Sequence, residues 1–239
     1  MTATNVLDER TSALLRDSQD WRLLALLFER PRGDWWQEIA ELASASRDVS
    51  LREAAAATVG AGQGGYLALL GPGGVLPARE AGYRRTSDPG QVLFEIQTAY
   101  QAFAYHPAAE DPPDHISVEA GFAGWLCLKQ AYALASGDSE AAEIAADAAN
   151  AFGKRHLAAM AEPLCVRLEF VESGYLLLAA KALLARVGER PKDLEGYWAP
   201  DGLAGTNCSS ACGAFAGSDE PGEELPPELP LDVVQALES

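Results

Sequence analysis

Asp114-His115 is the pair in this 239-residue chain best suited by residue type to do chemistry. A carboxylate stands beside an imidazole, between Pro113 and the start of an amphipathic stretch. Three uses are open to it. Asp114 can cap a helix, its carboxylate accepting the first free backbone N–H groups. The pair can bind a ligand. His115 can also serve as a general base, although adjacent residues do not face each other on a helix and no motif supplies a Ser or Cys nucleophile. Cys208 and Cys212 have a C-x₃-C spacing that can put two thiolates on one metal, and a four-ligand zinc site needs two more ligands. His106, His115 and His156 are the three histidines, too few for a His-based metal centre. Cys127 and Cys165 lie in apolar helical settings, where a free Cys acts as a small hydrophobe. Gly71-Pro72-Gly73-Gly74 lacks the Lys and Ser/Thr of a phosphate-binding loop. It reads as a turn between helices or as the wall of a groove. Trp21, Trp35, Trp36 and Trp125 read as core or groove residues.

The elements that must position these groups are helices. Leu14, Leu15, Leu24, Ala25, Leu27 and Phe28 recur at helical spacing around Trp21, and Pro31 ends that segment. Asp34 is placed to cap a second helix, and Ser50 a third over Leu51–Val59. A short apolar stretch, Tyr66–Leu70, precedes a Gly- and Pro-rich loop over 71–87. Asp88-Pro89 pairs an N-cap with Pro at the first helical position, and the helix it opens reaches about Ala104. A second Pro-rich loop, 105–114, leads to a helix over Ile116–Ala135. Asp138 or Ser139 opens an Ala-rich helix running towards His156, and a last helix covers Cys165–Val187. No stretch shows the period-2 alternation of a sheet. The expected fold is an all-α, single-domain helical bundle over residues 1–190. Residues 191–239 form an acidic, Pro/Gly-rich tail that is disordered or loosely docked, with Leu231–Leu237 as a short helix near its end.

Charge narrows the partners. The net charge is −17, which argues against nucleic acid and against an anionic membrane surface, and suits a cationic partner. Residues 201–239 contain eight acidic residues and no Lys or Arg. Neither a secretory leader nor a membrane-spanning stretch is visible, so the expected location is the cytoplasm.

Three segments together resemble the TorD/DmsD/NarJ family of redox-enzyme maturation chaperones. The first is Tyr66-x-x-Leu69-Leu70-Gly71-Pro72-Gly73, similar to the family's aromatic-x-x-Leu-Phe-x-Gly-Pro stretch, with Leu70 at the usual Phe position. The second is Pro77-x-x-Glu80-x-x-Tyr83, in which Ala78 and Arg79 replace the usual Pro or aromatic residues. The third, Glu110-Asp-Pro-Pro-Asp114-His115-Ile116-x-x-Glu119-x-x-Phe122, is similar to the family's signature before its long central helix. Trp21–Phe28 ahead of Pro31, and Phe152-x-x-x-His156-Leu157 ahead of Pro163, agree in layout. The resemblance covers roughly residues 15–187.

What the resemblance implies is binding rather than catalysis, with no cofactor, no catalytic residue and no bound metal. The expected partner is the apo catalytic subunit of a molybdenum oxidoreductase, recognised by its N-terminal, twin-arginine-type leader and held until its cofactor is inserted. An apolar groove with adjacent acids suits such a leader. The expected groove residues are Tyr66, Leu69, Leu70, Tyr83 and Phe122. Glu80, Asp114 and Glu119 are the expected partners of the leader's arginines, and His115 orients the loop or bonds the peptide backbone. The resemblance allows a monomer or a helix-exchanged dimer. The competing reading is a small metal- or redox-responsive protein using Cys208 and Cys212, with His106.

Overall fold

The computed structural model describes residues 8–84, 88–108, 111–171, 174–190 and 192. They form α1 (Glu9–Leu27), α2 (Trp35–Ala45), α3 (Val49–Ala56), α4 (Gln63–Leu70), α5 (Pro89–Ala102), α6 (Ile116–Ala135), α7 (Ser139–Phe152), α8 (Ala158–Phe170) and α9 (Gly174–Val187). A 3₁₀ turn, Glu80–Tyr83, lies between α4 and α5, and a π turn, Gly153–Leu157, joins α7 to α8. No strand occurs among the described residues. One antiparallel bridge pair, Arg79 with His115, is the sole β-type pairing found there.

The uninterrupted apolar run of α1 explains its place at the centre. Leu23 to Phe28 are all buried, and a helix apolar on every side has to be surrounded. α1 lies along α6 in close approach. The Ser18 hydroxyl donates to the Gly124 carbonyl at 2.8 Å, and a Cβ on Gly124 would meet Trp21 Cβ at 3.0 Å. α6 packs on α7, with the Phe122 and Phe152 rings 4.8 Å apart. α3 and α8 pack on α9. Arg186 of α9 ties three elements together. It donates to Asp17 at 2.7 Å and Asp20 at 3.2 Å on α1, and to Asp48 at 3.0 Å before α3, while lying over the Trp21 ring.

The structure moves several boundaries. α3 starts at Val49 because the Asp48 carboxylate accepts from the Ser50 and Leu51 N–H groups, so Asp48 rather than Ser50 is the cap. Asp34 precedes α2 but its side chain caps nothing. The expected helix over Cys165–Val187 is two helices that part between Phe170 and Gly174, the latter at φ +42°. α6 is capped by His115 and not by Asp114. Residues 193–239, with Cys208, Cys212 and Leu231–Leu237, lie outside the described residues.

Candidate functional site

The site is built where two loops cross the first turn of α6. The first loop is a strap over residues 71–84. Its Gly-rich start is a structural turn: Gly73 sits at φ +78°, and the chain folds back so that the Val75 and Leu76 N–H groups donate to the Ala68 and Leu69 carbonyls of α4. A side chain on Gly71 would collide with the Leu67 carbonyl oxygen, 2.6 Å from where its Cβ would lie. The strap then runs beside residues 112–116. The Glu80 N–H donates to the Asp114 carbonyl at 2.8 Å, and the Ile116 N–H donates to the Ala78 carbonyl at 2.9 Å.

His115 caps α6 through its ring. Nδ1 accepts from the Ser117 N–H at 3.3 Å and lies 2.7 Å from the Ser117 hydroxyl. An acceptor at Nδ1 puts the proton on Nε2, which faces the Tyr66 hydroxyl at 3.3 Å, and that hydroxyl donates to the Phe28 carbonyl at 3.0 Å. The chain of bonds fixes one tautomer of a neutral ring. Burial agrees, lowering the His115 pKa from its usual value. Because Nε2 meets a phenol rather than a carboxylate, the Ser117–His115 contact is a cap and not an activated nucleophile.

The acids are spoken for inside the domain. Asp114 is fully buried and accepts from the Arg79 guanidinium at 2.8 Å. Glu80, also fully buried, pairs with Arg84 and accepts from the Nδ1–H of His156 at 2.9 Å. Glu119 lies one helical turn beyond His115, wholly enclosed. No donor among the described residues reaches either of its oxygens, and the group it meets is the Glu80 carboxyl. Burial first, and then the charges of Glu80 and Asp114, hold the Glu119 pKa well above the ordinary carboxylate range.

The nine residues expected to bind the leader are thus placed as follows. Tyr66, Leu70, Glu80, Tyr83, Asp114, His115, Glu119 and Phe122 are buried, and Leu69 is half-buried. Tyr66, His115 and Asp114 meet along the strap crossing, and Glu80 and Glu119 meet beneath it. Tyr83 donates to the Pro77 carbonyl at 2.7 Å and so holds the strap's own bend. Phe122 packs deeper, against Tyr100 and Phe152. An open feature lies alongside. A cleft of about 260 Å³ is lined by Arg22, Glu29, Arg30, Asp111, Ser117 and Gly121, among others. Asp111, Glu29 and Arg30 act on the Tyr66 hydroxyl, and Asp111 acts on His115, so the Tyr66–His115 pair stands next to this cleft.

Sequence reasoning missed four anchoring groups. Arg79 and Arg84 hold the acids, Tyr100 donates to the Pro113 carbonyl at 2.8 Å, and Arg190 donates to the Tyr83 carbonyl at 3.0 Å. A usable signal existed for the first two: they are cations beside Glu80 in a strongly acidic chain. Cys127 and Cys165 are buried, and burial lifts their thiols to about 12 and about 11. Of the four tryptophans read as core or groove residues, Trp21 and Trp35 are core, Trp125 is half-buried and Trp36 is exposed. No group of three or more His, Cys, Asp or Glu suited to a metal ion occurs among the described residues, and no helix there is long and apolar enough to cross a membrane.

Comparison with known proteins bears on this geometry. A family model described as nitrate reductase delta subunit matches residues 33–166, which include the strap, the second loop and α6. A chlorate reductase assembly chaperone protein of Ideonella dechloratans is 32% identical over 158 residues, 64% of this chain and 76% of that relative. No solved structure matches the chain.

Proposed function

Since the chain belongs to the nitrate reductase delta subunit family, the NarJ/TorD type of redox-enzyme maturation chaperones, we propose that it binds the N-terminal leader of a molybdenum-containing oxidoreductase's catalytic subunit and holds that subunit for cofactor insertion before export. The protein is an assembly chaperone and not a catalyst. Its partner is a reductase catalytic subunit, met in the apo state in the cytoplasm. Residues 1–190 carry the function, and the acidic tail beyond them is not needed for the fold.

The observation that carries the reading is the strap crossing. Asp114 and His115 lie beneath the strap, next to a cleft whose lining includes Asp111 and Glu29, the latter paired with Arg22, together with Arg30 and Arg32. An arginine-rich leader meets acids at the cleft. Its apolar part can follow the Tyr66, Leu69 and Leu70 side of the strap once the strap moves. Charge-assisted bonds to guanidinium groups give register and strength, while the acidic surface of the whole chain raises the encounter rate with a basic segment.

Purification of the tagged full chain from its native host tests this. The expected co-purifying species is a molybdoenzyme catalytic subunit that keeps its leader and lacks its cofactor. Asp114→Ala combined with His115→Ala is expected to weaken leader binding by about tenfold or more, with helicity unchanged by circular dichroism, a loss of about 1.4 kcal/mol or more. Wild-type affinity in that double variant removes the crossing from the mechanism. A clean protein carrying stoichiometric zinc or iron moves the function to Cys208 and Cys212.

A further inference from the structure

We propose that the groove between α5 and α7 is a docking site for the indole of a partner protein's tryptophan, whose N–H is donated to Nε2 of His156. The groove shares no lining residue with the cleft beside the strap. The inference goes beyond the leader-binding reading and stands whether or not a leader is held at the strap.

The walls set the class of occupant. The groove has a volume of about 220 Å³. Ala99 and Phe103 come from α5 and its C-terminal cap, and Ala148 and Phe152 from α7. With Ala151, three alanines line the space and leave it open where larger side chains would close it. Phe152 packs on Phe122 at 4.8 Å, so the aromatic floor is backed by the core. The charged residue of the lining, Arg155, is paired with Glu95 at 2.8 Å. The groove therefore offers apolar and aromatic surface with its charge balanced, and the matching occupant is neutral and largely apolar. Ala151 and Arg155 are exposed at the rim, so the groove opens to solvent. A side chain enters such a groove with its backbone outside, which fits a protein partner rather than a free ring compound.

His156 narrows the class to one side chain. It sits in the π turn after α7, is 4% exposed, and lies against the Phe152 ring at 4.6 Å. Its Nδ1–H is given to Glu80 at 2.9 Å, which leaves the lone pair on Nε2. Nε2 makes no bond among the described residues, and His156 lines the groove. A Leu, Met or Phe entering from a partner would seal that acceptor without a donor, at a cost. An indole is large, flat and apolar, and its N–H is a donor with no acceptor to satisfy in turn. This chain treats its own indoles the same way: Trp35 donates to the Leu26 carbonyl at 2.8 Å, and Trp125 to the Phe103 carbonyl at 3.0 Å. A tryptophan seated in a desolvated pocket is also the kind of anchor that carries much of an interface's binding energy.

Fluorine NMR of N-acetyl-fluorotryptophanamide, titrated with the full chain, tests the proposal, because the chain's own tryptophans carry no fluorine. The expected result is saturable broadening of the probe signal, lost in Ala148→Leu, whose larger side chain fills the groove. The same probe methylated on the indole nitrogen is expected to bind about fivefold more weakly, since it leaves Nε2 enclosed without a donor. An Arg-Arg leader peptide in excess is expected to leave the probe bound. Absence of saturable binding, or unchanged binding in folded Ala148→Leu, overturns the site. Equal affinity of the two probes overturns the His156 bond and with it the choice of tryptophan. Displacement of the probe by the leader peptide overturns the separateness of the groove. If Ala148→Leu fails to fold, the ratio between the two probes in the wild-type chain decides alone.

Discussion

Both ends of α6 bury apolar side chains, but the first end buries polar and charged ones among them. Its first turns enclose Ser117 and Glu119 behind the His115 cap, with Asp114 immediately before them. Its later turns enclose Leu126, Cys127, Ala131 and Ala133 against α1 and α7, and turn Leu128 and Tyr132 outward. The second end follows ordinary burial: small and aliphatic groups inside, with the Cys127 thiol donating to Asp17. The first end breaks that pattern and needs a strap, a loop and several paired cations to tolerate it. Such local departures from the stability rules mark functional positions more often than scaffold. Under the proposed function, the N-terminal end of α6 is the recognition end and the C-terminal end its support.

The largest effects should separate the two ends by mechanism. Glu80→Ala leaves Arg84 and His156 buried beside an empty site, and breaking a buried pair in this way costs about 3–5 kcal/mol. Leu126→Ala creates a cavity and costs about 2–4 kcal/mol. Urea unfolding measures both. The contrast lies in binding: after correction for the folded fraction, Leu126→Ala is expected to keep full leader affinity and Glu80→Ala to lose it. Equal leader affinity in the two variants would break the comparison.

A smaller effect should appear in the pH dependence of stability. Burial depresses the His115 pKa, so below about 6.5 the unfolded chain binds a proton that the folded chain refuses, and stability falls as pH drops. The Glu119 pKa is raised, so above about 4.5 the folded chain keeps a proton that the unfolded chain has released, and stability falls as pH rises. Between about 4.5 and 6.5 the two trends oppose each other. Above about 6.5 Glu119 acts alone, lowering stability by at most about 1.4 kcal/mol per pH unit until it ionises. Glu119→Gln is expected to flatten the curve above pH 6.5 and to expose the His115 slope below it. Thermal melts across this range check both signs.

Local signals were legible in the sequence, and long-range ones were not. α5 begins at Asp88-Pro89 and α6 ends at Ala135 as read, since caps and a following Gly act within one turn. The break between α8 and α9 had a local signal that the reading passed over: Glu172, Ser173 and Gly174 interrupt the apolar residues there, and Gly174 sits at φ +42°. Asp114 looked like the cap of α6. Arg79, thirty-five positions earlier, claims its carboxylate, and the cap passes to His115. The residues of the candidate site were nearly all legible, but their depth was not. Whether Tyr66, Glu80 and Glu119 face solvent depends on where the strap crosses α6, and that is set by backbone bonds between residues 78–80 and 114–116.

Hydrogen–deuterium exchange on the full chain, with and without the Arg-Arg leader peptide, tests most directly the claim that the N-terminal end of α6 and its strap form the recognition site. The account predicts altered exchange over residues 71–84 and 111–119 and none over 126–135. Changes confined to 126–135, with the strap unaffected, would contradict it.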